Sequence, residues 1–258
     1  MKKIKLGVTG GRGFIGSRLI KRLSKNKNIE LKVYPGDILD KKELNEFCRK
    51  VEVMVHLAVY MKNKKKRYYL VNVEGTKNVA RAMGNKRLIY FSTTAIFGDR
   101  GNDWYADSKY KATKWLQRNK KNLVVIYPTA VIEAKSRGGK IMSRIGNGNR
   151  HINIVEVNNL VESLEKIIMR ENIKGDLVLG GINIKVRDYL RAIGSGYLWI
   201  RIPVILVKIL TFFWIGENNL KNILRKDFKD TLYFSKRAVK LLDYKPEKGL
   251  EKFVKMIR

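Results

Sequence analysis

The sequence predicts an α/β fold in which helices cover both faces of a doubly wound parallel sheet, with a small, mainly helical lobe at the C-terminus. Two observations lead to this prediction. Apolar segments typical of buried strands alternate with segments that have the amphipathic period of a helix. In addition, 45% of the 258 residues are apolar, which is enough to bury a sizeable core.

The alternation is clearest in the first half of the chain. It predicts strands at Ile4–Val8, Ile29–Tyr34, Val51–Leu57, Arg87–Ser92 and Leu123–Tyr127. Between them it predicts helices at Phe14–Leu23, Lys41–Arg49, Val71–Met83 and Trp104–Arg118. Strict alternation of strands and helices requires crossover connections, which make neighbouring strands parallel.

The pattern is looser after Pro128. Residues 135–150 are rich in Gly, Arg, Lys and Asn and are predicted to form a loop. The remainder is predicted to be mostly helical, apart from three elements recognised by their periodicity: a strand at Ile152–Val157, an amphipathic helix over Leu160–Ile168 and a short strand at Leu177–Leu179. We therefore divide the chain into a first domain at 1–134 and a lobe at 135–258, some of whose elements return to the sheet.

Charge and cysteine content restrict the class of protein. The formal net charge is +32, but the basic residues are spread along the chain with one dense run, Lys62–Arg67. Because no basic recognition helix accompanies them, we expect no specific nucleic-acid partner. The single cysteine, Cys48, excludes a disulfide framework within the chain, and His56 and His151 lack ligand spacing, so no metal is expected. No signal-peptide pattern precedes the first strand, and we expect a cytoplasmic protein.

A glycine-rich turn joins the first strand to the first helix. Gly10 permits a tight turn, Gly13 lets the backbone approach a pyrophosphate, and Gly16 allows the helix to pack closely on the strand. The N-terminus of the helix adds partial positive charge. Between a strand and a helix, this pattern is typical of a Rossmann-type dinucleotide-binding domain.

Further motifs follow the turn in a fixed order: Gly36-Asp37-Ile38, His56-Leu57-Ala58, Asn72-Val73-Glu74-Gly75-Thr76, Phe91 to Gly98, Tyr105-Ala106-Asp107-Ser108-Lys109 and Val157-Asn158-Asn159-Leu160. Together with Thr9-Gly10-x-x-Gly13-x-x-Gly16, they resemble the extended short-chain dehydrogenase/reductase family, which includes NAD-dependent epimerases, dehydratases and nucleotide-sugar reductases. The resemblance covers residues 1–134 well and 150–190 loosely.

The resemblance implies a nucleotide-sugar epimerase that uses NAD or NADP. Two alternatives are an NAD(P)H-dependent reductase and a non-catalytic NAD(P)-binding sensor or assembly protein. The implied catalytic residues are Thr94, Tyr105 and Lys109. The implied cofactor-binding residues are Gly10, Gly13, Phe14, Ile15, Gly16, Asp37, Ile38, Leu57, Ala58, Asn72, Tyr105, Lys109 and Tyr127.

The chemistry expected at Tyr105 depends on its surroundings. A phenol has a pKa near 10 and is a weak base at neutral pH, whereas nearby positive charge favours the phenolate. Lys109 stands at i+4 from Tyr105, on the same face of the predicted helix. Tyr105 would then move a proton on a substrate oxygen held by Thr94, while the cofactor exchanges a hydride with the adjacent carbon.

The same helix contains a second pair with this spacing, Tyr110 and Lys114. At about 100° per residue, the apolar Ala112 and Leu116 fall on the side of Tyr105, while Lys114 falls on the opposite side. We therefore predict that Tyr105 and Lys109 point inward, and that Tyr110 and Lys114 point to solvent.

Departures from the family pattern concern the cofactor and the substrate cleft. Only one strand separates the first helix from Asp37, and the acidic residue expected beside a free ribose 2′-hydroxyl is not found. Arg12 could bind a 2′-phosphate instead, although a solvated arginine is an equal alternative. We predict that NADP(H) binds at least as well as NAD(H). The short interval between Thr94 and Tyr105 predicts a clipped or open substrate cleft.

A hydrophobic segment at 203–215 lies within the C-terminal lobe. It is short and contains Lys208, so it is a poor transmembrane span. Three interpretations remain open: a buried helix of the substrate lobe, a contact in a homodimer, or a shallow anchor that would hold the protein at the inner face of the membrane.

Overall fold

The computed structural model describes residues 3–62, 64–98, 100, 103–133, 148–193 and 232–255, and the backbone alone at 144–145 and 199–200. The hydrophobic segment 203–215, residue 134 and most of the predicted loop 135–150 lie outside these residues. The division of the chain near residue 134 therefore stays a prediction.

A six-stranded parallel sheet forms the centre of the protein and confirms the predicted fold class. Numbered along the chain, its strands are β1 (Ile4–Thr9), β2 (Ile29–Val33), β3 (Val53–His56), β4 (Arg87–Phe91), β5 (Leu123–Pro128) and β9 (Gly175–Leu179). Their spatial order is β2-β1-β3-β4-β5-β9. The chain leaves β1 for one side of the sheet and returns to its other side at β3, so the strand order reverses there. Ligands of such sheets bind at this reversal, beyond the carboxyl ends of the strands.

Helices cover both faces of the sheet, as the sequence predicts. They are α1 (Phe14–Leu23), α2 (Lys41–Arg49), α3 (Lys65–Tyr69), α4 (Thr76–Ala82), α5 (Trp104–Asn119), α6 (Val157–Met169), α7 (Val186–Ala192), α8 (Lys236–Leu242) and α9 (Glu251–Val254). On one face, α1 and α6 enclose a core that includes Leu19, Val55 and Leu164. On the other, α2, α4 and α5 enclose a core that includes Leu44, Met54 and Leu116.

The predicted helix Val71–Met83 begins earlier than expected, at Lys65, and contains a wide turn. Residues Leu70–Gly75 form a π-helical turn between α3 and α4. Such turns are frequent at functional sites, because the extra residue re-aims a side chain. The side chain at the centre of this turn is the buried Asn72.

A second, smaller sheet was not predicted. It consists of β6 (Ala130–Ile132), which is parallel to β8 (His151–Glu156), and β10 (Ile182–Lys185), which is antiparallel to β8. The prediction of a mostly helical remainder is therefore wrong for Ile182–Lys185. The described backbone also contains a short parallel pair, β7 (Arg144–Ile145) and β11 (Trp199–Ile200). Within the described ranges, no helix is long and apolar enough to cross a membrane.

Candidate active site

The glycine turn forms a cradle that only glycine fits. Gly10 has φ +71°, and a methyl group there would lie 2.5 Å from the backbone nitrogen of Ala58. A methyl group at Gly16 would lie 2.3 Å from the Gly10 carbonyl oxygen. Gly13 precedes α1 without a side-chain cap, and no acidic residue stands in the first turn. The free N–H groups of α1 therefore face the end of β1, and the cradle fits the pyrophosphate of a dinucleotide.

The side chains that flank the cradle are mostly exposed. Arg12 is exposed, and within the part of the chain that the structure describes it has no hydrogen-bond or ion-pair partner. Phe14 is 45% exposed and lies under the Arg18 guanidinium, which also pairs with Glu133 at 2.8 Å. Ile15 is half-buried. Of the described basic side chains that flank the cradle, Arg12 is thus the one without a described partner.

The residues after β2 and β3 form the walls beside the cradle. Asp37 is exposed, and one of its carboxylate oxygens accepts a 2.9 Å hydrogen bond from the Leu39 amide. Ile38 is buried against Gly75, and Leu57 and Ala58 follow β3 next to Gly10. The structure thus brings these predicted residues to the same end of the sheet as the glycine turn.

A buried chain of hydrogen bonds connects the loops after β1 and β3 to α4. The Thr9 hydroxyl lies 2.6 Å from Nδ1 of His56, and Nε2 of His56 lies 2.9 Å from the Thr76 hydroxyl. Thr76 in turn donates to the carbonyl of Asn72 at 2.7 Å. Burial, and then the charge of Lys109, lower the pKa of His56 to about 3, so the ring is neutral. His56 is thus a structural link.

Asn72 has a structural position rather than one that faces a ligand. Its Oδ1 accepts from the Tyr60 amide at 2.7 Å, and its Nδ2 donates to the Tyr60 carbonyl at 3.2 Å and to the Ser108 hydroxyl at 3.0 Å. Both N–H groups are therefore used inside the protein. Asn72 joins the loop after β3 to α5.

Tyr105 lies in the first turn of α5 and is half-buried. The helix is capped by Asp103, whose carboxylate accepts a 3.1 Å hydrogen bond from the Ala106 amide. Burial raises the pKa of Tyr105 to about 12, and the side chain of Thr93, which lies close to the phenol, opposes this rise. The phenol is therefore protonated in the protein alone.

The hydroxyl of Thr94, which the sequence predicts to be catalytic, is bonded to the backbone rather than directed at Tyr105. It is 6% exposed, and its Oγ1 donates to the Pro128 carbonyl at 3.2 Å. Thr93 precedes the 3-10 turn Thr94–Phe97, and its hydroxyl accepts from the Ala95 amide at 3.2 Å. The structure thus brings Thr93, rather than Thr94, to the phenol. Adjacent residues of an extended segment point to opposite sides, and sequence alone does not tell which side meets Tyr105.

Lys109 is 3% exposed and lies one turn after Tyr105. Its ammonium donates a 2.5 Å hydrogen bond to the carbonyl of Phe91 at the end of β4 and lies 4.7 Å from the Tyr90 ring centroid. Burial lowers its pKa to about 7. The described residues near it provide no carboxylate partner in these contacts, so its charge is available to a ligand.

Tyr110 and Lys114 lie on the other face of α5. Lys114 is exposed, and Tyr110 is half-buried with the Arg100 guanidinium 3.8 Å from its ring centroid. Both line a groove of about 760 Å³ between α5 and the Lys65–Ala82 helices. The burial of Lys109 and the exposure of Lys114 agree with the prediction that the first lysine points inward and the second points to solvent.

Tyr127 does not present its hydroxyl to the site. The residue is 2% exposed, and its hydroxyl accepts a 3.3 Å hydrogen bond from Gln117 on α5. One edge of the ring reaches Phe97, with 4.8 Å between centroids. Its described contacts are thus those of a core residue.

An aromatic cluster near Tyr105 was missed by the sequence analysis. Tyr60 and Tyr68 make an edge contact at 5.3 Å, Tyr68 lies 6.3 Å from Trp104, and the Lys65 ammonium lies 6.0 Å from the Trp104 ring. The phenol of Tyr68 contributes to the raised pKa of Tyr105, which indicates that the cluster lies near Tyr105. The available signal was the run of four basic residues, Lys64–Arg67, followed directly by Tyr68 and Tyr69.

Comparison with known proteins agrees with this geometry. Residues 6–119 match the model of the NAD dependent epimerase/dehydratase family. No curated protein matches the chain at a significant level.

Solved structures share the fold over nearly the whole chain. A Bordetella bronchiseptica enzyme, WbmG in complex with NAD and UDP, has a TM-score of 0.70 at 17% identity, with 98% of this chain and 95% of that chain covered. A dTDP-glucose 4,6-dehydratase from Bacillus anthracis, in complex with NAD, has 0.70 at 15%, with 98% and 96% covered. RMD from Pseudomonas aeruginosa, complexed with NADPH, has 0.68 at 14%, with 98% and 99% covered.

The family is NAD dependent, which agrees with the dinucleotide cofactor predicted from the glycine turn. Residues 6–119, which contain the glycine cradle and the helix with Tyr105 and Lys109, are thus similar in sequence to the NAD dependent epimerase/dehydratase family.

Proposed function

We propose that the protein is an NAD(P)-dependent enzyme that epimerises a nucleoside-diphosphate sugar by hydride transfer, with Tyr105, Lys109 and Thr93 as its catalytic groups. One observation carries this proposal. The Tyr105 phenol lies close to the Thr93 side chain, and a buried lysine, Lys109, follows one helical turn later, at the carboxyl edge of the sheet.

The residues present divide the work between binding and proton transfer. The cradle of Gly10, Gly13 and Gly16 and the N-terminus of α1 would hold the pyrophosphate. When bound, the oxidised cofactor supplies a hydride acceptor and a positive charge. Near that charge and the Lys109 ammonium, the phenolate of Tyr105 becomes more favourable, which moves its pKa down from about 12 toward the working pH.

Thr93 and Tyr105 are then placed to hold one substrate hydroxyl between them. The phenolate would accept the proton of that hydroxyl as the carbon that bears it loses a hydride to the bound cofactor. The phenol would return the proton to the oxygen as the hydride comes back to the other face of the carbonyl carbon, which inverts the stereocentre. Lys109, anchored on the Phe91 carbonyl one helical turn after Tyr105, would supply a positive charge on the same side of α5 as the phenolate. The partial charges that develop on the substrate oxygen and on the phenolate would thus be stabilised by protein groups that are held in place.

A nucleotide sugar is supported by the aromatic and basic residues at the entrance and by the structural neighbours. Tyr60, Tyr68 and Trp104 offer apolar faces beside Tyr105, and the run Lys62–Arg67 offers positive charge for a diphosphate. Among proteins of the same fold, one structure contains UDP and another is a dTDP-glucose dehydratase. A reductase is the second candidate, since the same groups serve a net hydride transfer.

The test is incubation with NAD⁺ and a panel of UDP-, dTDP- and GDP-sugars, followed by NMR of the sugar ring. We expect a change of stereochemistry without net consumption of cofactor, whereas a loss of NADPH absorbance would indicate the reductase.

The variant Tyr105→Phe should abolish turnover while it keeps cofactor affinity. Its matched control is Tyr110→Phe, on the outer face of the same helix, which should retain activity. Equal activity of both variants would contradict a catalytic role for Tyr105 and favour a non-catalytic NAD(P)-binding protein.

A further inference from the structure

A segment of the C-terminal lobe touches the 3-10 turn Thr94–Phe97, which directly follows Thr93. Residues 232–235 precede α8, and the Tyr233 hydroxyl donates a 3.1 Å hydrogen bond to the carbonyl oxygen of Thr94. The ring of Tyr233 also lies 6.4 Å from that of Phe97, the last residue of the 3-10 turn. A residue far along the chain therefore contacts both ends of the turn.

The backbone of Tyr233 is fixed by two asparagines of the second sheet. Its amide donates to Oδ1 of Asn183 at 3.2 Å, and its carbonyl accepts from Nδ2 of Asn153 at 3.2 Å. Nδ2 of Asn153 also donates to Oδ1 of Asn183 at 2.8 Å, and its Oδ1 accepts from the Gly181 amide at 2.9 Å. Asn153 is 3% exposed. Because these buried polar atoms satisfy one another, the position of Tyr233 is strongly determined.

A second attachment follows two residues later. The Ser235 hydroxyl accepts from the Gly180 amide at 2.8 Å and donates to the Gly180 carbonyl at 3.1 Å. A methyl group at Gly180 would lie 2.7 Å from Oδ1 of Asn153. The loop between β9 and β10 is therefore packed directly against the asparagine pair that holds Tyr233.

Thr94 is the residue through which the turn is held. Its hydroxyl donates to the Pro128 carbonyl at the end of β5, and its carbonyl accepts from Tyr233. The side chain of Thr93, which precedes it, lies close enough to the Tyr105 phenol to lower its pKa. A shift of the Thr94 carbonyl would move the Thr93 hydroxyl relative to the phenol, because that carbonyl lies in the same planar peptide as the Ala95 amide, which donates to the Thr93 hydroxyl at 3.2 Å.

We propose that Tyr233 is a positioning residue: its hydroxyl holds the turn Thr94–Phe97 against the C-terminal lobe and thereby keeps the Thr93 hydroxyl at the Tyr105 phenol. Its effect on turnover rests on the proposed function, whereas its effect on the turn does not. The sugar-binding side of the enzyme is thus linked to the catalytic pair by one phenol that does not touch the reacting atoms.

The first test follows the turn without any substrate. Amide hydrogen exchange of the 91–98 region is compared between the wild type, Tyr233→Phe, and Tyr244→Phe as a matched control. Tyr244 is also a buried tyrosine of the C-terminal lobe, and its hydroxyl has no hydrogen-bond partner among the described residues. We expect exchange in the turn to rise roughly tenfold in Tyr233→Phe and to stay unchanged in Tyr244→Phe. Unchanged exchange in Tyr233→Phe would overturn the proposal.

The second test uses whichever nucleotide sugar the wild type converts. Tyr233→Phe should lower kcat roughly tenfold to a hundredfold while the Kd for the cofactor and the midpoint of unfolding stay close to wild type. Equal kcat values in Tyr233→Phe and the wild type would refute a positioning role. If the wild type converts no nucleotide sugar, the proposed function fails, and the exchange experiment still decides whether Tyr233 holds the turn.

Discussion

The two faces of α5 carry the same pair of residues at the same spacing in different surroundings. On the inner face, Lys109 is 3% exposed and donates to the Phe91 carbonyl, and the Tyr105 phenol lies close to the Thr93 side chain. On the outer face, Lys114 is exposed, and its described contact is with the Tyr110 ring at 5.8 Å. The comparison shows that the i, i+4 spacing brings a tyrosine and a lysine together on one face of the helix, whereas burial determines how far their pKa values are shifted.

The inner face is also connected to the rest of the cofactor side. The Ser108 hydroxyl donates to the Tyr105 carbonyl at 2.9 Å and accepts from Asn72, which leads through Thr76 to His56. The outer face instead borders an open groove whose ion pairs, such as Lys111 with Asp107 at 3.0 Å, lie at the surface. Surface pairs contribute little to stability, so this face tolerates substitution.

The largest expected effect separates the two lysines directly. Lys109→Met should lower kcat/KM roughly a hundredfold to ten-thousandfold, because the phenolate of Tyr105 loses its nearby positive charge. Lys114→Met changes the lysine on the outer face of the same helix. It should keep kcat/KM within a factor of about two of the wild-type value. Steady-state kinetics with the converted nucleotide sugar measures both. Comparable losses in the two variants would show that the faces do not differ in function.

The inner pair could be predicted because its signal is local. The helix, the spacing of Tyr105 and Lys109, and the buried side marked by Ala112 all lie within one segment, so periodicity was sufficient. The choice between Thr93 and Thr94 was not local. It depends on the Pro128 carbonyl and on Tyr233, which reach the turn from distant parts of the chain.

The second sheet was missed for a related reason. Ala130–Ile132 and Ile182–Lys185 are only three and four residues long, and so short a run has no readable period. Both short strands are stabilised by backbone hydrogen bonds to His151–Glu156, and their local sequence does not predict this pairing. The π-helical turn at Leu70–Gly75 likewise follows from the contacts of Asn72 with Tyr60 and Ser108.

A similar comparison can be made between two glycines in turns, Gly10 and Gly98. Gly10→Ala should lower the free energy of unfolding by about 2–3 kcal/mol, because a side chain at φ +71° is strained and would meet the backbone of Ala58. It should also weaken cofactor binding more than tenfold, as the cradle shifts. Urea unfolding and cofactor titration measure these effects. Gly98→Ala is the control, since a methyl group there meets nothing within 4 Å; a stable Gly10→Ala protein that binds cofactor normally would contradict the cradle.

The pH dependence of stability tests the hydrogen-bond chain behind the inner face. The pKa of His56 is lowered from 6.5 to about 3 by burial, so the unfolded chain takes up a proton at a higher pH than the folded protein does. The stabilisation is therefore complete above about pH 6.5 and is lost as the pH falls toward 3. From about pH 7.5 to about pH 5.5, the free energy of unfolding should fall by about 1.4 kcal/mol from this residue.

Urea unfolding at the two pH values measures this loss. The His56→Gln variant should be less stable at both values, because it breaks the contacts with Thr9 and Thr76, and it should lack the additional pH dependence. If the wild type and His56→Gln showed the same slope, the neutral, buried state of His56 would be refuted.

The smallest expected effect concerns the two arginines at the start of α1. Arg12 is exposed and has no described partner, whereas Arg18 is held by the Phe14 carbonyl at 2.9 Å and by Glu133. If Arg12 meets a ribose 2′-phosphate, Arg12→Ala should raise the Kd for NADPH about fivefold and leave that for NADH unchanged, as an exposed charge pair contributes about 1 kcal/mol. Arg18→Ala should not change the ratio of the two affinities, because its guanidinium is already engaged. Fluorescence titration of both cofactors gives that ratio, and an equal loss for NADPH and NADH in Arg12→Ala would assign Arg12 to solvent.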